Sequence, residues 1–194
     1  MKRRQFITAL LAGIALPGCD DGPRFNNVST PKARYGPGLQ RLRDQHGRTH
    51  TLADFQGKVV AVFFGYTFCP DVCPTSLMML RQTQQLLGAD GARVQVIFVS
   101  VDPGRDTPER LGRYVTAFNP DYLALSGSEA ELAAVAGEFG VYYKKKNDSG
   151  DFYTIDHTAG CYVFDPAGQA RLFVRHGETP QRLAEDLCLL LAGQ

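Results

Sequence analysis

Two cysteines, Cys69 and Cys73, are separated by three residues in the segment GYTFCPDVCPTSL and could carry out chemistry together. Thiolates are soft ligands suited to Cu(I). Two cysteines can also close into a disulfide when their Cα atoms lie within about 7 Å of each other. Metal binding and redox chemistry therefore share one pair of side chains.

Three other interpretations of this pair compete with a metal site. A purely stabilising disulfide suits an exported protein, but a loop this short restrains few unfolded conformations and gains little. A thioredoxin-type dithiol usually has the pattern C-x-x-C. A peroxiredoxin has a threonine three residues before its cysteine, whereas Thr67 stands two residues before Cys69.

The elements on either side of the pair place it at one edge of a sheet. The apolar run 58–66, KVVAVFFGY, predicts a strand buried on both faces, and a helix should follow from Pro74 to Gly88. Open α/β folds have their sites at such carboxyl ends of strands. Pro74 disfavours helical geometry at Cys73, so Cys73 is predicted to be the N-cap, where free backbone N–H groups favour its thiolate.

The rest of the chain alternates helices and strands. A second buried strand at 93–101 completes a βαβ unit, a capping box joins Ser128 to Glu131, and the turn 165–168 joins two strands of a terminal hairpin. These patterns predict an α/β, thioredoxin-like fold, with a central mixed β-sheet flanked by helices, a terminal β-hairpin and a closing helix. The remaining predicted elements are helices from Thr107 and Thr179 and strands at 122–125, 154–157, 161–164 and 171–174.

The N-terminal 19 residues have the pattern of an export signal, with a basic start and an apolar run too short to span a bilayer. Leu16 to Cys19 resembles a bacterial lipobox, although Pro17 departs from it, and Arg3 to Ile7 resembles a twin-arginine signal. We therefore expect residues 1–18 to be a signal peptide. Residues 19–38 should form a flexible tether lipid-anchored at Cys19, and 39–194 the folded domain, on the periplasmic side of a bacterial inner membrane.

The charge of the chain argues against nucleic acid as a partner. Its formal net charge is +1, and without the three basic residues of the signal it has 18 basic against 20 acidic groups, or −2. Binding to phosphates requires many Lys and Arg on one face.

A third candidate ligand, His157, lies far along the chain in YTIDHTAG. From the residues alone, a histidine beside a strand is more often an ordinary polar residue than a ligand. However, the TFCPDVCPT loop, the segment SVDPGRDTPE and Asp156-His157 ahead of YVFDPAG together resemble the Sco/SenC family of cytochrome c oxidase assembly proteins, over about residues 39–191. The resemblance implies that Cys69, Cys73 and His157 are copper ligands.

This donor set is chemically coherent for copper. Two thiolates and a neutral imidazole satisfy three-coordinate Cu(I), and a further weak ligand would accommodate Cu(II). The same residue types also permit zinc. The choice of copper therefore rests on the resemblance.

Three functional hypotheses follow. The leading one is a metallochaperone that passes copper to the binuclear copper site of cytochrome c oxidase subunit II, alone or with other copper chaperones, as the resemblance implies. The alternative is a thiol-disulfide oxidoreductase that uses Cys69 and Cys73 as a redox pair to reduce the cysteines of that subunit and forms a Cys69–Cys73 disulfide itself. The third is a redox or copper sensor.

Several other polar residues are interpreted as structural. Asp71 and Asp156 could tune the site, but loop hydrogen bonding and solvation are favoured, and Asp102 is assigned to a turn. Cys161 and Cys188 are expected to pack in the core, although a disulfide between them is conceivable. The remaining predictions place residues on the surface: His46, His50 and His176 as solvated side chains, and Lys144, Lys145 and Lys146 on an exposed hairpin.

Overall fold

The computed structural model describes residues 24–30, 35–146 and 153–194. The predicted signal peptide and the proposed lipid attachment site Cys19 lie outside the described residues. In the part that the structure describes, no helix has the length and apolar character needed to cross a membrane.

Nine strands and four α-helices alternate along the described chain. The helices are α1 (Val72–Leu86), α2 (Pro108–Thr116), α3 (Glu129–Phe139) and α4 (Pro180–Leu191). The strands are β1 (Val28–Ser29), β2 (Arg43–Asp44), β3 (Val59–Gly65), β4 (Val94–Ser100), β5 (Leu123–Ser126), β6 (Tyr143–Lys146), β7 (Thr154–His157), β8 (Gly160–Phe164) and β9 (Ala170–Arg175).

Seven strands form one mixed sheet in the order β1-β9-β8-β3-β4-β5-β2. β3, β4 and β5 are parallel neighbours, whereas β8 runs antiparallel to β3 and forms a hairpin with β9. β6 and β7 make a separate antiparallel pair. This mixed sheet, flanked by helices, confirms the thioredoxin-like fold predicted from the sequence.

The core lies on both faces of the central strands. Every residue of β3 and β4 is buried, as their unbroken apolar runs predicted. Because side chains alternate along a strand, Phe63 and Phe64 point to opposite faces. Phe63 packs beside Phe98, and Phe64 packs against Phe139 of α3.

Three of the four helices begin as the sequence predicted. Thr107, Ser128 and Thr179 are the N-caps of α2, α3 and α4, and each side chain accepts a backbone hydrogen bond from the first turn. Gly140 ends α3 in the left-handed conformation, with φ 64°.

The predicted start of α1 is wrong by two residues. Its N-cap is Asp71 rather than Cys73, and Pro74 lies at the third helical position. The missing N–H of Pro74 costs no helical bond there, because the first four N–H groups of a helix have no intrahelical partner. The restriction that Pro74 places on Cys73 is therefore a preference that the packing of this loop overrides.

The folded part extends further toward the N-terminus than residue 39. Val28 and Ser29 pair with Phe173 and Leu172 of β9, at the edge of the sheet. The backbone N–H groups of Asn26 and Asn27 donate to the buried carboxylate of Asp186 in α4, at 2.8 and 2.9 Å. Part of the segment assigned to a flexible tether is thus attached to the domain.

Asp44 in β2 is a buried carboxylate held by hydrogen bonds. The Nε2 atom of His50 lies 2.8 Å from its Oδ2, and the backbone N–H groups of His46 and Arg48 donate to its Oδ1. His50 is therefore not the freely solvated residue expected, since only 15% of its side chain is exposed. Burial favours the neutral acid, but these hydrogen bonds outweigh it and lower the pKa of Asp44 from 3.8 to about 2.

We expect Asp44 to make the stability of the protein depend on pH in acid. A carboxyl whose pKa is lowered by folding stabilises the native state above its unfolded pKa, and this stabilisation is lost as the pH falls from about 3.8 toward about 2. At about 1.4 kcal/mol per pKa unit, the loss is about 2.5 kcal/mol. Denaturant unfolding of the wild type and of Asp44→Asn between pH 2 and 6 measures it. The variant should lose this part of the pH dependence, whereas Asp90→Asn, which removes an exposed partner of Arg93, should keep it.

Candidate metal centre

Three segments bring Cys69, Cys73 and His157 together. Cys69 lies in the loop after β3, Cys73 in the first turn of α1, and His157 at the end of β7. Their ligand atoms all lie within 4.8 Å of one another, and the Sγ of Cys73 is 3.5 Å from the Nε2 of His157. Two sulfurs and one imidazole nitrogen could therefore share one metal ion.

The cysteine pair is electrostatically asymmetric. Cys69 is partly exposed, and the pKa of its thiol is well below the usual range because the S–H of Cys73 and the backbone N–H groups of Asp71 and Cys73 donate hydrogen bonds to the thiolate. Cys73 is fully buried, and its pKa is raised because its S–H donates to Cys69 and burial disfavours its charge. In the reduced pair these interactions favour a thiolate at Cys69 and a thiol at Cys73.

The sequence predicted a thiolate at the wrong cysteine. Free N–H groups at the start of a helix do stabilise a thiolate here, as expected. However, the backbone N–H of Cys73 points to the sulfur of Cys69, at 3.5 Å. Because α1 starts before Cys73, Cys69 is the cysteine that faces the end of the helix.

His157 is oriented for ligation through Nε2. Its Nδ1 lies 3.2 Å from the carbonyl oxygen of Thr158, and since a carbonyl can only accept, Nδ1 carries the proton. The ring contacts Phe63 and Tyr66 edge-on, with centroids 6.0 and 5.9 Å apart. The Nε2 lone pair is left facing the sulfurs, an arrangement common among metal-binding histidines.

Buried groups around the site fix the cysteine loop. A Cβ atom at Gly65 would lie 2.6 Å from the Sγ of Cys73, so only glycine leaves room for that sulfur against the strand. The buried carboxylate of Asp106 accepts hydrogen bonds from the backbone N–H and hydroxyl of Thr67, at 3.1 and 2.5 Å. Ser100 at the end of β4 donates to the same carboxylate at 2.7 Å.

Several groups that shape the site could not be predicted from the sequence. The hydroxyl of Tyr66 accepts a hydrogen bond from the backbone N–H of Ile155, at 3.2 Å, and so connects β3 to the strand that carries His157. Gly65 and Tyr66 belong to the apolar run 58–66, and Asp106 follows the turn assigned at Asp102, so their local sequence does not indicate these roles. Their roles depend on contacts between segments that are distant in the chain.

The acidic residues next to the ligands have the roles expected of them. Asp156 pairs with Lys146 at 2.9 Å and is half exposed. The exposed Asp71 lies at the N-cap position of α1 without a side-chain capping bond, and its carbonyl accepts from the Thr75 hydroxyl. Asp102, assigned to a turn, is buried and takes part in a cluster with Arg105 and Tyr153.

The other cysteines and histidines that the structure describes do not join the site. Cys161 is buried in the core as predicted, but Cys188 is exposed, because it follows the inward-facing Leu187 on α4; both thiols are free. His46 and His176 are exposed, as expected.

Comparison with known proteins gives a consistent result. A family model described as SCO1/SenC matches residues 31–192. Protein SCO2 homolog, mitochondrial, from Bos taurus is 39% identical over 159 residues, which cover 80% of this chain and 60% of that protein. The chain therefore spans about three fifths of the length of this curated relative.

Solved structures resemble the chain over most of its length. ScoI of Bradyrhizobium japonicum with copper bound is 38% identical and has a TM-score of 0.70, with 84% of this chain and 98% of that one covered. Apo Sco1 from Thermus thermophilus is also 38% identical, with a TM-score of 0.73 and coverage of 86% and 97%.

Proposed function

Since the chain belongs to the SCO1/SenC family, we propose that it is a copper metallochaperone that binds copper through Cys69, Cys73 and His157. The main support for this proposal is that two sulfurs and one imidazole nitrogen lie within 4.8 Å of one another. A thiolate-rich set of three donors suits Cu(I). The copper-bound ScoI structure, 38% identical to this chain, supports the choice of copper over zinc.

The different exposure of the ligands supports a role in transfer. Cys69 and His157 are partly exposed, whereas Cys73 is buried. A thiolate of a recipient can therefore approach the metal from the side of Cys69 and His157 and bind it before the buried Cys73 dissociates. Copper is cargo in this scheme, and ligand exchange keeps it bound throughout.

We further propose the recipient and the location. The recipient is the binuclear copper site of cytochrome c oxidase subunit II, served alone or with other copper chaperones, and the basis is family membership. The export signal at 1–18 and the lipobox-like Cys19 support attachment to the periplasmic side of a bacterial inner membrane. The proposed domain organisation is this signal, an anchored N-terminal segment and one copper-binding domain.

The asymmetric cysteine pair also favours a second candidate, the thiol-disulfide oxidoreductase. The Cys69 thiolate would attack a disulfide in the recipient, forming a mixed disulfide and releasing one recipient thiolate. Cys73, losing its proton, would then attack Cys69, which closes the Cys69–Cys73 disulfide and releases the second thiolate. The recipient gains two electrons and this protein loses two.

Titration with Cu(I) separates these two functions. We expect the full chain, reduced, to bind one Cu(I) tightly in competition with a chelator, and His157→Ala to bind at least about tenfold more weakly, because one of three donors is lost. His176→Ala is the matched control and should bind as the wild type does. Weak binding that does not depend on His157 would contradict the chaperone and favour the oxidoreductase.

A further inference from the structure

Arg105 lies between the cysteine loop and the strand that carries His157. It belongs to the loop after β4, and 17% of its side chain is exposed. Its guanidinium carbon lies 3.4 Å from the centroid of the Tyr153 ring and 4.6 Å from that of the Phe68 ring. Phe68 directly precedes Cys69, and Tyr153 directly precedes β7.

Hydrogen bonds fix this guanidinium in place. Its NH1 donates to the carbonyl oxygen of Tyr153 at 2.9 Å, and its Nε donates to Oδ2 of Asp102 at 2.5 Å. The hydroxyl of Tyr153 donates to the other carboxylate oxygen of Asp102, also at 2.5 Å. Asp102 is fully buried, so Arg105 and Tyr153 are both joined to a rigid point at the end of β4.

The strand that carries His157 needs such a connection. β6 and β7 pair only with each other in the described structure and form a sheet of their own. The strand that carries His157 therefore joins the main sheet through the short connection 158–159 to β8, which pairs with β3, and β7 itself has no ladder with the main sheet in the described structure. The bond from Ile155 to the Tyr66 hydroxyl and the contacts of Arg105 add to this connection and hold β7 itself beside the cysteine loop.

The placement of Arg105 leaves one of its hydrogen-bond donors unpaired. Its NH2 atom is buried and has no hydrogen-bond partner among the described residues. A buried donor left unpaired costs about 1–3 kcal/mol. The group is held there by stacking and by its bonds to Tyr153 and Asp102.

We infer that Arg105 is a positioning residue. It holds β7 next to the cysteine loop and thereby sets the distance of the His157 imidazole from the two cysteine sulfurs. The inference rests on the proposed function, because it assigns a purpose to the position of a proposed ligand. Arg105 touches neither the metal nor the ligand atoms. It acts through Tyr153 and the strand that follows.

A double-mutant cycle tests this inference. Arg105→Lys keeps the positive charge but removes the planar guanidinium group, and Arg105→Gln removes both. We expect each to weaken Cu(I) binding by the full chain about tenfold, as is typical for residues that orient a ligand. In the His157→Ala background, the same substitutions should have no further effect, because the ligand being positioned is gone. Amide hydrogen exchange at Ile155 should also become faster in the metal-free protein.

Arg110→Gln is the matched control. The guanidinium of Arg110 also lies 4.6 Å from the Phe68 centroid, but it is exposed and bonds neither Asp102 nor Tyr153 in any contact found. Its affinity for Cu(I) should equal that of the wild type. Tyr153→Phe, which removes only the bond to Asp102, serves as the decisive variant if circular dichroism shows that the Arg105 variants fail to fold.

The outcomes separate the inference from the proposed function. If His157→Ala weakens binding but the position 105 variants do not, the inference is wrong and the ligand set stands. A loss that persists undiminished in the His157→Ala background also overturns it, since Arg105 would then act through something else. If His157→Ala itself binds as the wild type does, the proposed ligand set fails, and the inference fails with it.

Discussion

Serine in place of Cys73 is expected to abolish tight Cu(I) binding. The substitution replaces a soft sulfur with a hard hydroxyl oxygen at the most enclosed of the three ligand positions, where Cys73 is fully buried and lies 3.5 Å from His157. The two remaining donors cannot enclose the ion. The loss in affinity should exceed the roughly 10–100-fold loss that follows from changing residues that only support a ligand.

Competition with a Cu(I) chelator, under reducing conditions, measures the effect of Cys73→Ser. Cys188→Ser is the matched control, because this thiol is also free but lies exposed on α4. Thermal unfolding of the metal-free proteins shows whether the fold survives, since serine is close to cysteine in size. Tight binding by a folded Cys73→Ser variant would exclude Cys73 from the ligand set.

Comparing Cys73→Ser with Cys69→Ser also distinguishes the two candidate functions. A chaperone loses binding with either change, because both sulfurs are ligands. In an oxidoreductase, Cys69 is the attacking thiolate, as the lowered pKa of its thiol indicates. Cys73→Ser would then accumulate a mixed disulfide with the recipient, while Cys69→Ser would form none.

The sequence predicted the central architecture because its signals are local. β3 and β4 are continuous apolar runs, and the caps at Thr107, Ser128 and Thr179 depend on residues within one turn of each helix. The predicted start of α1 was wrong because Pro74 has two opposing local effects. Proline disfavours helical geometry at the preceding residue, Cys73, but it is itself tolerated in the first turn of a helix. Contacts of the whole loop decide between them.

The site could be predicted only in part, for a related reason. Cys69 and Cys73 are neighbours in the chain, but His157 lies 84 residues after Cys73. Nothing in the pattern around His157 distinguishes it from a surface histidine, so only the resemblance to the Sco/SenC family brought it into the site. Tyr66, Asp106 and Arg105 act through contacts with distant segments, which periodicity and spacing do not reveal.

Phe139 links α3 to the sheet on the face opposite the metal centre. Its ring contacts the rings of Phe64, Tyr162, Phe164 and Tyr35, with centroids 5.1 to 6.2 Å apart, and only 1% of the residue is exposed. The site face of β3 instead carries Phe63, beside His157. Fold stability and ligand geometry therefore depend on different side chains of one strand.

Phe139→Ala is expected to destabilise the protein strongly without changing its copper site. Removing a buried ring loses both its transfer free energy and its packing, at a cost of about 3–5 kcal/mol. Chemical denaturation of the metal-free protein measures this loss. Tyr142→Ala is the matched control, because Tyr142 is 60% exposed and surface substitutions change the stability by no more than about 0.5 kcal/mol.

Under conditions where the Phe139→Ala variant remains folded, it should still bind one Cu(I) with wild-type affinity, since Phe139 and the ligands pack on opposite faces of β3. Loss of Cu(I) affinity in the folded variant would show that the two faces are coupled, and that the geometry of the ligands depends on the whole core.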